Sequence, residues 1–370
     1  MQTSGPRRSD PTSKPPASGS LNRRTLLARL SALALAAGLP APLASRASAQ
    51  PAAEAPGLAP PTRDAFGELL PMRKFGRHDE WVTSLGLGGA HFDQFRDRDL
   101  QAAADTLIEN GVRFIDTAES YGRGNSETII GRTLVPKYRD ALFIMTKTKG
   151  RTADQVRAHL DGSRKRMGVD VIDLWQIHSL QDAADVDRFV DRGGLDFFLE
   201  QREKGTVRYL GLTGHVSPTP FNHLLDHLDR RGVAFDAALM PINLVDPQYE
   251  SFIDGVLPRL VQNGYAVLAM KTLAFGGFFG NNFAWANRDE ADPTRIIPDR
   301  VSLEEALHFA LAHPIASLVS GMNRTRQIVQ NAGIARRFSG MTPEVRRALV
   351  DRVADAAGES MEFYKEHGVG

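Results

Sequence analysis

The 370-residue chain contains no cysteine. Disulfide bonds, thiolate nucleophiles and zinc or iron–sulfur centres held by cysteine are therefore excluded for this chain. It also lacks an excess of one charge, because 45 basic residues stand against 44 acidic ones. This balance gives no electrostatic preference for nucleic acid or for an anionic membrane surface. With 42% hydrophobic and 24% charged positions, the composition is that of a globular protein.

The N-terminal residues differ in composition from the rest of the chain. Arg23 and Arg24 precede an apolar run rich in leucine and alanine, and the small residues Ala47 and Ala49 follow it. This order predicts an export signal over residues 1–49, and the apolar run is too short for a permanent membrane span. The stretch Asn-Arg-Arg-Thr-Leu-Leu resembles a bacterial twin-arginine signal, which implies the twin-arginine export machinery as a partner and a periplasmic or secreted protein. A disordered extension with a chance arginine pair, or an uncleaved anchor, is the alternative.

Residues 50–71 are rich in alanine and proline and predict a linker, so a single folded domain is expected over 72–370. There, eight short apolar runs alternate with segments of helical periodicity, which is typical of β/α units around a parallel sheet. Eight units predict an α/β protein with a closed (β/α)8 TIM barrel. The expected strands are 82–87, 113–116, 142–146, 171–177, 207–213, 237–242, 266–270 and 317–320. The expected helices are 99–109, 126–134, 152–167, 187–204, 219–230, 249–262, 303–312 and 325–336.

Two segments fall outside this repeat. Residues 273–298 form a long aromatic loop after the seventh run, and residues 342–367 predict a C-terminal helix. No Gly-x-Gly-x-x-Gly turn opens a helix after the first run, which disfavours an open dinucleotide-binding sheet. No metal-binding motif is present, so no metal is expected.

Polar side chains stand at the ends of three successive predicted strands. Asp116 and Tyr121 follow the second strand, Lys147 the third and His178 the fourth. In a barrel these ends meet at one rim. Reduction of a carbonyl needs a proton, which Tyr121 can supply if Lys147 eases its loss, while Asp116 balances the lysine charge and His178 orients the carbonyl oxygen. Each residue alone has an ordinary explanation as a cap, a core residue or a solvated charge, so the hypothesis depends on the four together.

The residues 114–122, together with Ser126, Glu127, Lys147 and His178, resemble the aldo-keto reductase family. The resemblance extends from about residue 72 to 331. It implies a β/α barrel that uses NADP, or else NAD, with Asp116, Tyr121, Lys147 and His178 as the catalytic tetrad.

The same resemblance implies a cofactor site that departs from the family pattern in several places. Leu239 stands where a glutamine is expected, Met270 replaces a stacking aromatic ring, and Thr213 and His215 replace a Ser-Asn pair. Gln327 stands where many NADPH-selective relatives have arginine. The predicted cofactor-binding residues are Gly88, Gly89, Asp116, Thr213, His215, Met270, Lys271, Arg324, Gln327 and Asn331.

The predicted function is transfer of hydride between NAD(P)H and an aldehyde or ketone, or the reverse oxidation of an alcohol. Two other functions stay open. One is a redox-neutral isomerase or lyase that holds its nicotinamide tightly, which an export route for folded cargo would suit. The other is a non-catalytic nicotinamide-binding barrel with a regulatory role.

Overall fold

The computed structural model describes residues 59–280, 295–297 and 299–366. The predicted export signal lies outside the described residues. Two antiparallel hairpins precede the barrel, and they consist of β1 (Arg63–Asp64), β2 (Gly67–Glu68), β3 (Met72–Lys74) and β4 (Trp81–Thr83). Leu70, between the hairpins, is only 1% exposed and belongs to the main core. The packed chain therefore extends into the residues that the sequence predicts as a linker.

Eight parallel strands close into a barrel, which confirms the predicted (β/α)8 fold. The first seven are β5 (Leu85–Gly88), β6 (Phe114–Asp116), β7 (Phe143–Thr148), β8 (Ile172–Ile177), β9 (Val207–Thr213), β10 (Ala237–Pro241) and β11 (Ala266–Met270). A short hairpin of β12 (Arg295–Ile296) and β13 (Val301–Ser302) precedes the eighth barrel strand, β14 (Ser317–Gly321). Closure comes from parallel pairing of β14 with β5, in which Leu318 lies opposite Leu85.

The strand predictions hold because a parallel sheet covered on both faces needs nearly continuous apolar runs. β9 and β11 have the predicted bounds, whereas the first predicted strand, 82–87, is divided in the structure. Val82 belongs to β4, and the barrel strand β5 begins only at Leu85. The two polar residues at this junction, Thr83 and Ser84, are both buried, and neither is a glycine or a proline that would mark a break in a strand.

Helices surround the barrel. They are α1 (Leu100–Glu109), α2 (Asn125–Thr133), α3 (Val135–Tyr138), α4 (Ala153–Met167), α5 (Ala183–Asp191), α6 (Gly194–Glu203), α7 (Thr219–Arg230), α8 (Phe252–Gly255), α9 (Leu257–Gln262), α10 (Leu303–Leu311), α11 (Thr325–Arg337) and α12 (Pro343–Val353). None of the helices among the described residues is long and apolar enough to cross a membrane.

Three predicted helices are shorter or divided in the structure. The single helix expected over 187–204 is instead α5 and α6, separated at Gly193, whose φ of 76° suits glycine better than other residues. The helix expected over 249–262 is α8 and α9, with a non-helical residue, Val256, between them. The C-terminal helix expected over 342–367 ends at Val353, and Gly358, at φ 120°, lies in the irregular segment that follows.

Aromatic side chains fill one end of the barrel. Phe114 and Phe143 stack with ring centroids 5.2 Å apart, and Phe75, from the second hairpin, packs 5.0 Å from Phe143. These rings belong to an inner core that also contains Leu174 and Leu268. The hairpin thus blocks the N-terminal end of the barrel, and the opposite rim is left for chemistry.

Candidate active site

The four predicted catalytic residues meet at the C-terminal rim of the barrel. Asp116 is the last residue of β6, Lys147 lies near the end of β7, and His178 directly follows β8. The Lys147 ammonium donates to an Asp116 carboxylate oxygen, to the Thr117 carbonyl at 2.8 Å and to the Tyr121 hydroxyl at 3.1 Å. All three ammonium protons therefore have acceptors, as a buried lysine requires.

Tyr121 and His178 lie side by side beside this lysine. Tyr121 begins a short turn after β6, in which Gly122 takes a φ of 56°. The ring centroids of Tyr121 and His178 are 5.5 Å apart, edge to face. His178 Nδ1 lies 3.2 Å from the Ser120 hydroxyl, and Arg151 donates to the His178 carbonyl at 2.8 Å. These contacts hold the imidazole beside the phenol.

Burial and charge shift the pKa of each group. Burial raises the pKa of Asp116, and the positive charge of Lys147 offsets part of the rise. Burial alone would lower the pKa of Lys147, but the charges of Asp116 and then Tyr121 outweigh it and raise that pKa, so the ammonium persists at neutral pH. Burial, and then the charges of Lys147 and Lys149, hold the pKa of His178 well below its usual value, so its imidazole is neutral.

The pKa of the Tyr121 phenol differs from what the sequence analysis leads one to expect. Lys147 lowers its pKa, as expected, yet burial has the larger effect and the pKa is raised overall. The tyrosine is therefore protonated at neutral pH and holds a proton that it can donate.

A cleft opens beside the tetrad. It extends from Asp116 and Tyr121, along the ends of β11 and β14, to the start of α11. Six predicted residues line it, and they are Gly88, Asp116, Tyr121, Met270, Lys271 and Gln327. Leu239, which stands in the place of the family glutamine, also lines it.

The segment after β11 has an unusual backbone. Lys271, Ala274 and Phe275 all have positive φ values, of 55°, 48° and 54°, although none is glycine. Such strain concentrates at functional sites, where the surrounding structure maintains it. The Lys271 ammonium lies 3.6 Å from the centre of the Phe275 ring, and desolvation, together with the nearby charge of Lys147, lowers the pKa of Lys271 to about 7.

Several groups in and beside the cleft fit a negatively charged dinucleotide. Thr272 lines the cleft, and its buried hydroxyl makes no hydrogen bond to any of the described residues. Lys271 offers a cation, and α11 begins at the far end of the cleft, where the positive end of the helix dipole favours an anion. Arg324 occupies the N-cap position of α11, and Asn331, on the same helix, donates to the Ser320 hydroxyl at 3.0 Å. A nicotinamide dinucleotide would thus be held by donors at one end and meet the tetrad at the other.

Thr213 and His215 are not among the residues that line the cleft. The Thr213 hydroxyl accepts from the Ser179 backbone at 2.9 Å. His215 contacts the Tyr364 carbonyl at 2.5 Å through Nδ1 and the Ser179 hydroxyl at 3.4 Å through Nε2. Burial, and then Lys271, lower the pKa of His215 to about 3. Their role in holding the cofactor stays a prediction.

Gly89 follows β5 at the point where that strand approaches Asp116. A Cβ atom there would lie 2.2 Å from the Asp116 carbonyl oxygen, which a real side chain never tolerates. The glycine is therefore needed for the close approach of the chain after β5 to the backbone of Asp116, even though it does not line the cleft.

The sequence analysis missed two features of the site. His91, two residues after Gly89, lines the cleft, and burial, helped by Lys271, lowers its pKa to about 4. The signal for it was a histidine directly after the first barrel strand.

The second feature is the set of buried polar contacts through which the C-terminal segment packs on the barrel rim. Lys365 pairs with Asp246 at 2.9 Å and with Glu362 at 3.1 Å, and both contacts are fully buried. Asn243 donates to the Tyr364 hydroxyl at 2.8 Å. The Lys365–Glu362 pair is local in sequence. The other two pairs join residues more than 100 positions apart, so no local sequence pattern could reveal them.

Comparisons with known proteins agree with this geometry. The sequence model of the Aldo/keto reductase family matches residues 84–336. An uncharacterised oxidoreductase of Bacillus subtilis, YqkF, is 24% identical over 327 residues, which cover 80% of this chain and 98% of that protein. An aldo-keto reductase of Schizosaccharomyces pombe with NADP(+) in its name is 26% identical over 200 residues, which cover 50% of this chain and 53% of that protein. The solved holo form of aldo-keto reductase AKR11C1 from Bacillus halodurans has the same fold, with a TM-score of 0.63 and 21% identity over 79% of this chain and 99% of that one. The chain therefore belongs to the aldo/keto reductase family and is an oxidoreductase.

Proposed function

We propose that this chain transfers hydride between NADP(H) and the carbonyl carbon of an aldehyde or ketone, with Tyr121 as the acid and base. NAD(H) is the second choice of cofactor. The observation that carries the proposal is the contact of one ammonium group, that of Lys147, with both Asp116 and Tyr121 beside the cleft.

In the proposed reduction, Tyr121 gives its proton to the carbonyl oxygen of the substrate. Its hydroxyl oxygen accepts a hydrogen bond from Lys147, so its own proton is left to point at the substrate. The phenolate that remains lies 3.1 Å from the ammonium, whose positive charge stabilises it. Asp116 keeps that lysine charged in its buried setting. When bound, the nicotinamide supplies the hydride to the carbonyl carbon, or accepts it in the reverse direction.

His178 has a separate role in orienting the substrate. Because its imidazole is neutral, a Ser120 hydroxyl that donates to Nδ1 leaves the proton on Nε2. Nε2 can then donate to the carbonyl oxygen of the substrate. Two donors, Tyr121 and His178, would thus fix the carbonyl in place.

The preference for NADP is supported by charge at the far end of the cleft. Arg324, at the start of α11, provides a guanidinium that can pair with a phosphate group. One of the similar proteins carries NADP(+) in its name.

The test is consumption of NADPH by the purified protein with a panel of aldehydes and ketones. The Tyr121→Phe variant keeps the ring and loses the proton, so we expect kcat to fall by about 10²- to 10⁴-fold while NADPH still binds. A protein that retains nicotinamide through purification but consumes none would favour the redox-neutral alternative. A regulatory barrel would be favoured if the unmodified protein and the Tyr121→Phe variant bind NADPH equally well and neither one turns over a substrate.

Export also stays a prediction, supported by Arg23, Arg24 and the apolar run after them. Fractionation of a bacterial host that has a twin-arginine pathway tests it. Replacement of both arginines by lysine keeps the charge, so retention of that variant in the cytoplasm would support a twin-arginine signal. Equal distribution of both forms would contradict it.

A further inference from the structure

A cluster of two histidines and one aspartate lies on the outer helices, apart from the residues that line the cleft. His223 and His227 are four positions apart in α7, so their side chains share one face of that helix. Asp187 is on α5, which packs against α7. These three residues are called the His–Asp cluster below.

The contacts within the cluster are convergent. His223 Nε2 lies 2.7 Å from Asp187 Oδ1, and His227 Nε2 lies 3.0 Å from the same oxygen. One ligand atom from each of the three residues can be chosen so that all lie within 4.8 Å of one another. The two imidazole rings are almost perpendicular, at 85°, with centroids 4.9 Å apart.

This arrangement is close to that of a bound transition metal. In a tetrahedral zinc site with bonds of about 2.0–2.1 Å, neighbouring ligand atoms are about 3.3 Å apart. The two nitrogen–oxygen distances need to open by only about half an ångström to reach that value. Such a shift is within the reach of side-chain rotation, because all three residues are partly exposed.

The ligand types also select the class of metal. Two imidazoles and a carboxylate favour zinc, copper or nickel over magnesium and calcium, which prefer oxygen ligands. The chain has no cysteine, so no thiolate elsewhere in it competes for a soft metal.

The other acidic residues on this helix have a different partner. Asp226 and Asp229 both pair with Arg259, at 2.7 Å in each case. They therefore act as partners of the arginine, and Asp187 is the carboxylate that the two histidines face.

We propose that Asp187, His223 and His227 bind a divalent transition metal ion, with Zn²⁺ as the best match, and that water completes its coordination. The ion ties α5 to α7 on the outside of the barrel. On binding, each Nε2 atom loses its proton, each ring stays neutral with a proton on Nδ1 that exchanges through solvent, and the ion takes the place of the shared hydrogen bonds. The absence of a metal motif in the sequence is compatible with this site, because the third ligand comes from a different helix.

The test is titration of the untagged, chelator-treated full-length protein with ZnCl₂ in a calorimeter, with Co²⁺ absorption as a second probe of the ligands. We expect one high-affinity Zn²⁺ per chain and a melting temperature that rises with Zn²⁺. His227→Gln should weaken binding by more than about tenfold, the loss that even an outer-shell partner can cause.

Two further variants separate a metal site from a merely structural contact. Asp187→Asn keeps an oxygen that accepts from both imidazoles but is a poorer metal ligand, so it should lose Zn²⁺ affinity while the metal-free melting temperature stays the same. His308→Gln is the matched control, because His308 faces a single carboxylate, that of Glu304, at 3.8 Å and should leave Zn²⁺ binding unchanged.

The outcomes that would overturn the proposal are distinct. No Zn²⁺ binding by the unmodified protein would refute it. Equal Zn²⁺ affinity in the unmodified protein, His227→Gln and Asp187→Asn would place any bound ion elsewhere and would also refute it. Carbonyl reduction should be the same in all these variants, which shows that each one is folded.

Discussion

Removal of the buried cation at the centre of the tetrad has a consequence for stability that can be worked out from its contacts. In Lys147→Met, the Asp116 carboxylate stays 3% exposed and loses the ammonium that balances its charge. Breaking a buried ion pair by removing one partner costs about 3–5 kcal/mol. A typical domain has a total stability of about 5–15 kcal/mol, so this loss is a large share of the total.

The sign of the pH dependence follows from the same carboxylate. Without the lysine, the pKa of Asp116 in the folded protein rises further above its unfolded value, since burial is no longer opposed. Because this folded-state pKa is raised, the variant should lose no stability from Asp116 at low pH, where its carboxyl group is protonated in the folded and the unfolded states alike. The loss of unfolding free energy in Lys147→Met should therefore grow as the pH increases toward neutrality.

Urea unfolding, followed by the fluorescence of the fully buried Trp175, measures the effect. The double variant Lys147→Met/Asp116→Asn removes the uncompensated charge and should recover at least half of the lost stability. The exposed Lys149, replaced by methionine, serves as the control and should change stability by less than about 0.5 kcal/mol. A single variant that loses less than about 1 kcal/mol, or a double variant no more stable than the single one, would refute the reasoning.

Three other predictions follow from the site. Because the pKa of Lys271 is about 7, NADPH should bind more weakly as the pH rises from about 6 to about 8, and Lys271→Met should bind weakly without that dependence in a fluorescence titration. Because His178 is neutral, it should contribute no titration near pH 6.5 to the activity. The pH profile of kcat for His178→Gln should therefore have the same shape as that of the unmodified enzyme and lie lower by about tenfold or more. Gly89→Ala should lose most activity, because its Cβ would meet the Asp116 carbonyl at 2.2 Å, whereas Gly333→Ala, within α11, should retain full activity, since its Cβ has only an ordinary contact at 3.4 Å.

Strand positions were the most predictable part of the fold. The bounds of β9 and β11 agree with the apolar runs, because each barrel strand is covered on both faces and must be apolar throughout. Helix interruptions were less predictable. The chain around Gly193 keeps a helical period on both sides of the break, so only the backbone conformation shows that α5 and α6 are separate.

The candidate site was predictable to the extent that it follows strand ends. Asp116, Lys147 and His178 come from consecutive strands, and parallel strands place their carboxyl ends at one rim. The partners of His215 were not predictable. Its contact with Tyr364 joins residues 149 positions apart, and packing of the C-terminal segment decides it.

By itself, the sequence determined the barrel and the four residues at its rim, because both follow from local periodicity and from the order of the strands. Only the tertiary structure decided the rest: the protonation states of the tetrad, the burial of the tail on the rim and the meeting of Asp187 with His223 and His227. These features depend on desolvation and on contacts between distant segments, which arise only after the chain has folded.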